Sequence, residues 1–227
     1  MLIAFAGKAG SGKDVAGDLI CWEHQAVKVS LADPMKRICR DVYGFSDEQL
    51  WGASEHRSEP VERLNGLTAR HALQQLGTNW GRGCYENTWV DILIRTHLMI
   101  QEGTHDYSAH SGLYKAACDV MTRDRLKGRH VVCTDVRFPN EVEAINRAGG
   151  KVIHIIRPEQ RNLQGAAGLH ASEVSLDGIP EDQFACTIRN DGTLDAFRHM
   201  VRATYQHVTS GAEGRLWLAS GIDVVAL

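Results

Sequence analysis

Gly7-Lys8-Ala9-Gly10-Ser11-Gly12-Lys13-Asp14 carries the densest chemistry in this 227-residue chain. The spacing Gly7-x-x-x-x-Gly12-Lys13 is that of a loop that wraps phosphate. Glycines let successive backbone N–H groups turn toward an anion. A helix starting at the loop's end adds its positive pole. Lys13 supplies a point charge for β- and γ-phosphates. Where this spacing usually has a Ser or Thr that holds Mg²⁺, the chain has Asp14. A carboxylate there suits the ion's water shell or the transferred phosphoryl group. The flanks agree with this reading. Leu2–Ala6 is an apolar run of strand type, and residues 15–24 are compatible with a helix. The same glycines would serve an ordinary βα turn. Strand, loop and helix in this order favour a nucleotide.

A second chemical segment is Arg129-His130-Val131-Val132-Cys133-Thr134-Asp135. An apolar run ending in polar residues predicts a buried parallel strand whose Asp135 reaches a ligand at its C-terminal end. Asp135 is then a candidate for Mg²⁺ or substrate, and equally a helix-capping residue. Arg137 follows at once, and Pro139 opens a helix over 140–148 that Gly149-Gly150 ends. Lys36 lies in the first turn of a helix over 35–43, just past a strand at 27–31. Asp33 is its expected N-cap and Pro34 its first residue. That edge of an open α/β sheet is where ligands bind, although a solvated helix charge reads the same way. Arg57 and Arg63 sit in a polar stretch, 44–66, without apolar periodicity, and read as surface residues on sequence alone.

The remaining elements must position these groups. Thr68 caps a helix whose buried stripe is Leu73, Leu76 and Trp80. The glycine-rich 77–82 suggests close approach of backbone or ligand. Residues 87–102 form a helix with Trp89, Ile92, Leu93, Thr96 and Ile100 on one side. A polar loop, 103–112, holds His105 and His110, read as exposed and not as metal ligands. A helix follows over 114–126. Strands over 152–156 and 184–188 flank residues 159–183, which are poor in apolar side chains and hold Arg161, His170 and Glu173. These read as a lid that excludes water over phosphates, or as a long surface loop. A turn at 190–192 precedes a last helix, 194–208. The tail, 209–227, is weakly patterned.

Composition sets the limits. Apolar residues make up 43% and charged residues 23%, as in ordinary globular proteins. Net charge is 25 − 28 = −3, which gives no electrostatic case for duplex nucleic acid. Six scattered cysteines without a C-x-x-C pair argue against a zinc site or a disulfide scaffold. Leu2–Ala6 is too short for a signal peptide, and no stretch approaches a membrane span. A cytoplasmic location is expected. The element order predicts a three-layer α/β/α fold around a parallel sheet.

Seven pieces in order carry a resemblance over roughly residues 2–205. They are Gly-Lys-Ala-Gly-Ser-Gly-Lys-Asp at 7–14, Leu-Ala-Asp-Pro-Met-Lys at 31–36, and Arg70 ahead of Leu-Gly-Thr at 76–78. Then come Thr-Asp-Val-Arg at 134–137, Val-Ile-His-Ile-Ile-Arg-Pro at 152–158, His-Ala-Ser-Glu at 170–173 and Ile-Arg-Asn-Asp-Gly-Thr-Leu at 188–194. The chain resembles the bacteriophage-type deoxynucleoside monophosphate kinases, of the nucleoside monophosphate kinase-like P-loop NTPase fold. In that family Asp14 is the expected end of the loop, while Val15 stands where Thr is common.

The resemblance implies one kinase domain over 1–208. Its core would be 1–43 and 128–208, with a helical substrate-binding insertion at 44–127 and a lid at 158–183. It implies ATP and Mg²⁺, with Gly10, Ser11, Gly12, Lys13 and Asp14 on the phosphates and Asp14 and Asp135 near the metal. Lys36, Arg57, Arg70 and Arg137 would hold the acceptor phosphate or clamp the transferring group, with Arg63 competing for the role of Arg57. Asp135 and Glu141 would orient the acceptor, and Trp89 would stack near its base. Arg157 and Arg161 would close from the lid, and Asn190 and Asp191 would border adenine. The partner implied is a deoxynucleoside monophosphate, with no nucleic acid or membrane, in a homodimer in the host cytoplasm. Related small-molecule kinases, of the phosphomevalonate or dephospho-coenzyme A type, and a nucleotide-switch ATPase are the competing readings.

Overall fold

The computed structural model describes residues 1–104, 126–158, 176, 178–212, 214, 216–219 and 225–226. In chain order these form β1 (Leu2–Ala6), α1 (Lys13–His24), β2 (Val27–Lys28), α2 (Asp33–Tyr43) and α3 (Asp47–Trp51). Next come β3 (Pro60–Val61), β4 (Leu67–Thr68), α4 (Ala69–Gln74), a π-helical segment at Gln75–Arg82, and α5 (Thr88–Glu102). Then follow β5 (Val131–Val136), α6 (Pro139–Arg147), β6 (Lys151–Ile156), β7 (Cys186–Arg189), α7 (Leu194–Thr209), β8 (Leu216–Ala219) and β9 (Val225–Ala226). They divide into two units, Met1–Ser30 with Arg129–Leu227, and Leu31–Gly128.

The first unit is built on a seven-stranded sheet in the order β2-β5-β1-β6-β7-β8-β9. Every pairing is parallel except β8 with β9. β1 is buried at all five positions and lies between β5 and β6, which accounts for its unbroken apolar run. From β1 the chain crosses to β2 on one side, whereas β6 leads to β7 on the other. This reversal places the glycine loop at the strands' C-terminal ends, where open α/β sheets bind ligands. Ile3, Phe5, Ile20, Ile153 and Phe197 pack in the core beneath it. The expected strand 27–31 shortens to two residues, although the Val29 N–H still bonds the Val132 carbonyl at 2.8 Å. The weakly patterned tail supplies β8, which extends the sheet beside β7.

Pairing of β1 with β5 slips by one residue. Ala4 faces Cys133 but Ala6 faces Val136, so β5 holds an extra residue at Thr134-Asp135. Such a bulge re-aims side chains.

In the second unit Cys39, Phe45, Leu50, Ala69 and Ala72 form a separate small core. Cys39 of α2 belongs to it, and this unit begins at Leu31. Thr68 caps α4 by accepting from the His71 N–H at 3.1 Å, as expected. The stripe of Leu73, Leu76 and Trp80 does not hold, since Trp80 is 54% exposed. The π-helical segment has more residues per turn than an α-helix, so it carries position 80 away from the buried face. Gly77 and Gly81 are buried there, and a Cβ on Gly81 would lie 2.3 Å from the Trp89 ring. The close approach is thus one of backbone to indole. Asp33 is not an N-cap either. α2 starts one residue earlier, and Asp33 is its first residue.

The five described cysteines are free thiols. No described helix is long and apolar enough to cross a membrane. The helix expected over 114–126, apart from Leu126, and the histidines His105 and His110 lie outside the described residues.

α1 passes over β5 with no side chain at Gly17, where a Cβ would sit 2.2 Å from Thr134 Cγ2. In a helix interior Gly→Ala ordinarily gains about 1 kcal/mol. Here overpacking reverses the sign, and Gly17→Ala should lose about 1–3 kcal/mol in urea melts. Unchanged or raised stability would show that α1 can retreat from the sheet.

Candidate phosphate-binding site

The loop after β1 leads into α1 through Gly12, which has φ 109° and acts as N-cap without any side-chain hydrogen bond to the helix. That backbone lies in the region only glycine enters cheaply. A Cβ on Gly12 would also meet Asn190 Nδ2 at 2.9 Å. The first-turn N–H groups of α1 therefore have no side-chain cap, the arrangement that receives an anion. Ser11 is 1% exposed, and its hydroxyl has no hydrogen-bond partner among the described residues. Lys13 is buried, and its ammonium donates to the carbonyls of Gly7 and Lys8, both at 2.7 Å. An orphaned buried hydroxyl, an uncapped helix start and a lysine curled over the loop fit a polyphosphate.

Asp14 faces this loop from the first turn of α1. Its Oδ1 accepts from Thr134 Oγ1 at 2.7 Å and from Lys28 Nζ at 3.2 Å. Burial works to raise its pKa. The Thr134 hydrogen bond and the charges of Lys28 and Lys13 outweigh burial and hold the carboxyl below its ordinary value. Burial likewise works to lower the pKa of Lys28, but its bonds to Asp18 and Asp14 raise it. Asp135, next along β5, accepts from Ser30 Oγ at 2.5 Å and from Cys133 Sγ at 3.1 Å. Burial, reinforced by the Asp135 charge, pushes the Cys133 thiol well up, so it stays a protonated donor. The β5 bulge thus lets consecutive residues take different partners, Thr134 donating to Asp14 and Asp135 accepting from Ser30.

Among the described residues no group of three or more His, Cys, Asp or Glu could hold a metal by itself. Asp14 and Asp135 are carboxylates of the type that could hold Mg²⁺, which takes a few carboxylate or water contacts completed by substrate phosphates.

Other expected residues surround the loop. Arg157 Nη1 reaches the Gly10 carbonyl at 3.4 Å. Asn190 Nδ2 donates to the Ser11 carbonyl at 2.9 Å, and its backbone N–H bonds Ile156 at 2.7 Å. Asn190 therefore ties the loop to the end of β6. Asp191 is paired with Arg189 at 2.7 Å. Glu141 takes a different role from the one expected. It is 1% exposed and accepts from the N–H groups of Arg137 and Phe138 at 2.7 and 3.0 Å. Its carboxylate caps α6 and fixes the backbone that carries Arg137. Arg161, His170 and Glu173 of the expected lid lie outside the described residues.

In the second unit, Arg70 donates to Ser58 Oγ at 2.8 Å and to the Ser54 carbonyl and hydroxyl at 3.0 and 2.9 Å. Arg57 donates to the Gly52 carbonyl at 3.2 Å. Arg63 donates to the carbonyls of Tyr43 and Gly44 at 2.7 and 2.8 Å, closing the C-terminus of α2. Lys36 and Arg40 lie 5.6 and 5.7 Å from the centre of the Trp51 ring, within cation–π range. The Trp51 indole N–H donates to Asp33 at 3.0 Å. Trp89, expected beside a base, is 3% exposed and donates to the Gly77 carbonyl at 2.8 Å. Trp80 and Tyr85 are exposed rings of the same unit, at 54% and 53%.

Sequence reasoning missed Lys28, Ser30, Thr134 and Trp51 as members of these clusters. Thr134 had a signal, a lone hydroxyl closing an apolar strand. Lys28 and Ser30 had none, because their partners are distant in sequence.

No family model matches the chain. It is 32% identical over 203 residues to "Putative deoxynucleotide monophosphate kinase" of Acanthamoeba polyphaga mimivirus, spanning 87% of this chain and 92% of that protein. It is 30% identical over 200 residues to "Uncharacterized protein ORF77" of Ictalurid herpesvirus 1 (strain Auburn), spanning 88% of this chain and 68% of that protein. A solved structure titled a "putative kinase" from Chloroflexus aurantiacus covers 93% of the chain at 14% identity and a TM-score of 0.45. At that score the likeness adds nothing to what the sheet order shows. The α/β sheet and glycine loop define a P-loop kinase fold. The chain belongs to the deoxynucleotide monophosphate kinase family.

The lowered Asp14 pKa fixes the sign of one pH effect. A carboxyl lowered in the folded state adds stability above its unfolded pKa and loses it as pH falls through the folded value. Thr134→Val removes a donor to a side chain that is 77% exposed, so the loss at pH 7 should be about 1 kcal/mol. The gap between variant and wild type should narrow below roughly pH 4. Urea melts at pH 7 and pH 3 check this, and a gap of constant size would assign the cost to packing instead.

Proposed function

We propose that the protein transfers the γ-phosphoryl group of ATP to a deoxynucleoside 5′-monophosphate, giving ADP and the diphosphate. The observation that carries the reading is the loop itself: an uncapped α1 start, a buried unpartnered Ser11 hydroxyl and Lys13 held within reach of the bend. The family relation supports the acceptor class. Exposed Trp80 and Tyr85 favour an acceptor with a base over one such as phosphomevalonate, which offers nothing to stack on.

Mg²⁺ bound with ATP supplies charge neutralisation on the phosphates. The chain's own residues do the rest. Backbone N–H groups of the loop, Ser11 and Lys13 hold the β- and γ-phosphates. Asp14 and Asp135 orient the metal's water shell. Arg137, with its backbone fixed by Glu141, and Arg157, beside the Gly10 carbonyl, neutralise the oxygens of the group in flight. Lys36, Arg57 and Arg70 take the acceptor's phosphate, as guanidinium forks suit its geometry. A phosphate oxygen of the acceptor attacks, the new P–O bond forms, and the bond to the β-phosphate bridging oxygen breaks. The nucleophile is already anionic, so no strong general base is needed. A host-cytoplasmic homodimer is part of this reading, in keeping with relatives from two viruses.

A coupled ADP-release assay with ATP, Mg²⁺ and each deoxynucleotide, ribonucleotide or phosphomevalonate acceptor tests it. Turnover with at least one deoxynucleotide is expected, abolished by Lys13→Ala. Arg137→Ala should cost on the order of 10³ in kcat/KM. ADP release without an acceptor would make the chain an ATPase, and turnover with phosphomevalonate alone would replace the acceptor.

A further inference from the structure

We propose that Lys28 is a positioning residue that aims the Asp14 carboxylate. The inference rests on the reading of Asp14 as a group of the phosphoryl-transfer site. Lys28 Nζ bridges two carboxylates of α1, at 2.8 Å from Asp18 Oδ1 and 3.2 Å from Asp14 Oδ1. Asp14 and Asp18 are four residues apart on one helix face, where like charges repel. Lys28 comes from β2 and resolves that repulsion. Its side chain is 23% exposed, against 77% and 67% for the two aspartates, so a long cation has been drawn beneath the carboxylates it serves.

The atoms decide what this does. Lys28 and Thr134 both take Oδ1 of Asp14, one from β2 and one from β5. Oδ2 has no hydrogen-bond partner among the described residues. The carboxylate is therefore pinned by one oxygen to the sheet and presents the other. A carboxylate left to rotate at a phosphate site would repel the incoming polyanion over a range of orientations. One whose charge is partly met by a fixed ammonium offers a single oxygen in a defined direction, which is what a metal's water shell requires. An ordinary surface ion pair would contribute little to stability and nothing to ATP affinity.

The test is a double-mutant cycle on the full chain with Lys28→Met, Asp14→Asn and the double variant, together with Lys28→Arg. ATP affinity by calorimetry with Mg²⁺, melting temperature, kcat and the acceptor KM are measured. Lys28→Met should weaken ATP binding with Mg²⁺ at least about fivefold and leave the acceptor KM within about twofold. Lys28→Arg should restore part of the loss, and the loss should disappear in the Asp14→Asn background. Wild-type affinity in Lys28→Met, or an equal loss in both backgrounds, would overturn the proposal. Should Lys28→Met not fold, Lys28→Gln carries the same cycle. A wild-type chain that phosphorylates no monophosphate would overturn the acceptor reading, while the ATP-binding cycle would still report on Lys28.

Discussion

The carboxylate of Asp14 is held from two strands of the sheet, and much of the packing beside the glycine loop goes with that hold. Asp14 stands one residue past the buried Lys13. Its carboxylate is tolerable there because a threonine on β5 and a lysine on β2 grip a single oxygen. The grip in turn dictates how close helix and sheet lie. α1 must run so near β5 that position 17 has room only for hydrogen. The slip in the β1–β5 register provides the residue that lets Thr134 and Asp135 serve different partners.

The same economy appears at the loop's other flank. Asn190 holds the Ser11 carbonyl from the end of β7, and Phe197 in α7 closes on Gly12 from below. The backbone of the glycine loop is thus braced by parts of the chain that arrive almost two hundred residues later. In the second unit polar side chains are likewise spent on backbone. Arg63 closes α2, and Trp89 secures the π-helical segment.

Local signals made the first half of this legible. The burial of Leu2–Ala6, the loop spacing, the Thr68 cap and the strand ending in Thr134-Asp135 follow from short-range patterns of burial and hydrogen bonding. What the sequence hid depends on partners far along the chain or on a change of helical pitch. Trp80 reads as buried only if the α-helix continues, and the π-helical turn breaks that assumption. Glu141 and Trp89 have the chemistry of substrate contacts, yet each is enclosed, and only the fold shows that their polar atoms face backbone. Asp33 looked like a cap because Asp before Pro usually is one. The indole of Trp51, eighteen positions on, claims it instead.

The two outermost strands of the large sheet, β2 and β9, are each only two residues long among the described residues. A sheet of parallel strands carries at its borders rows of unpaired N–H and C=O groups, ready to template another chain. Short borders shrink that template, and the antiparallel turn-back of β9 beside β8 ends the parallel run. β8 covers the flank of β7 over four registered residue pairs.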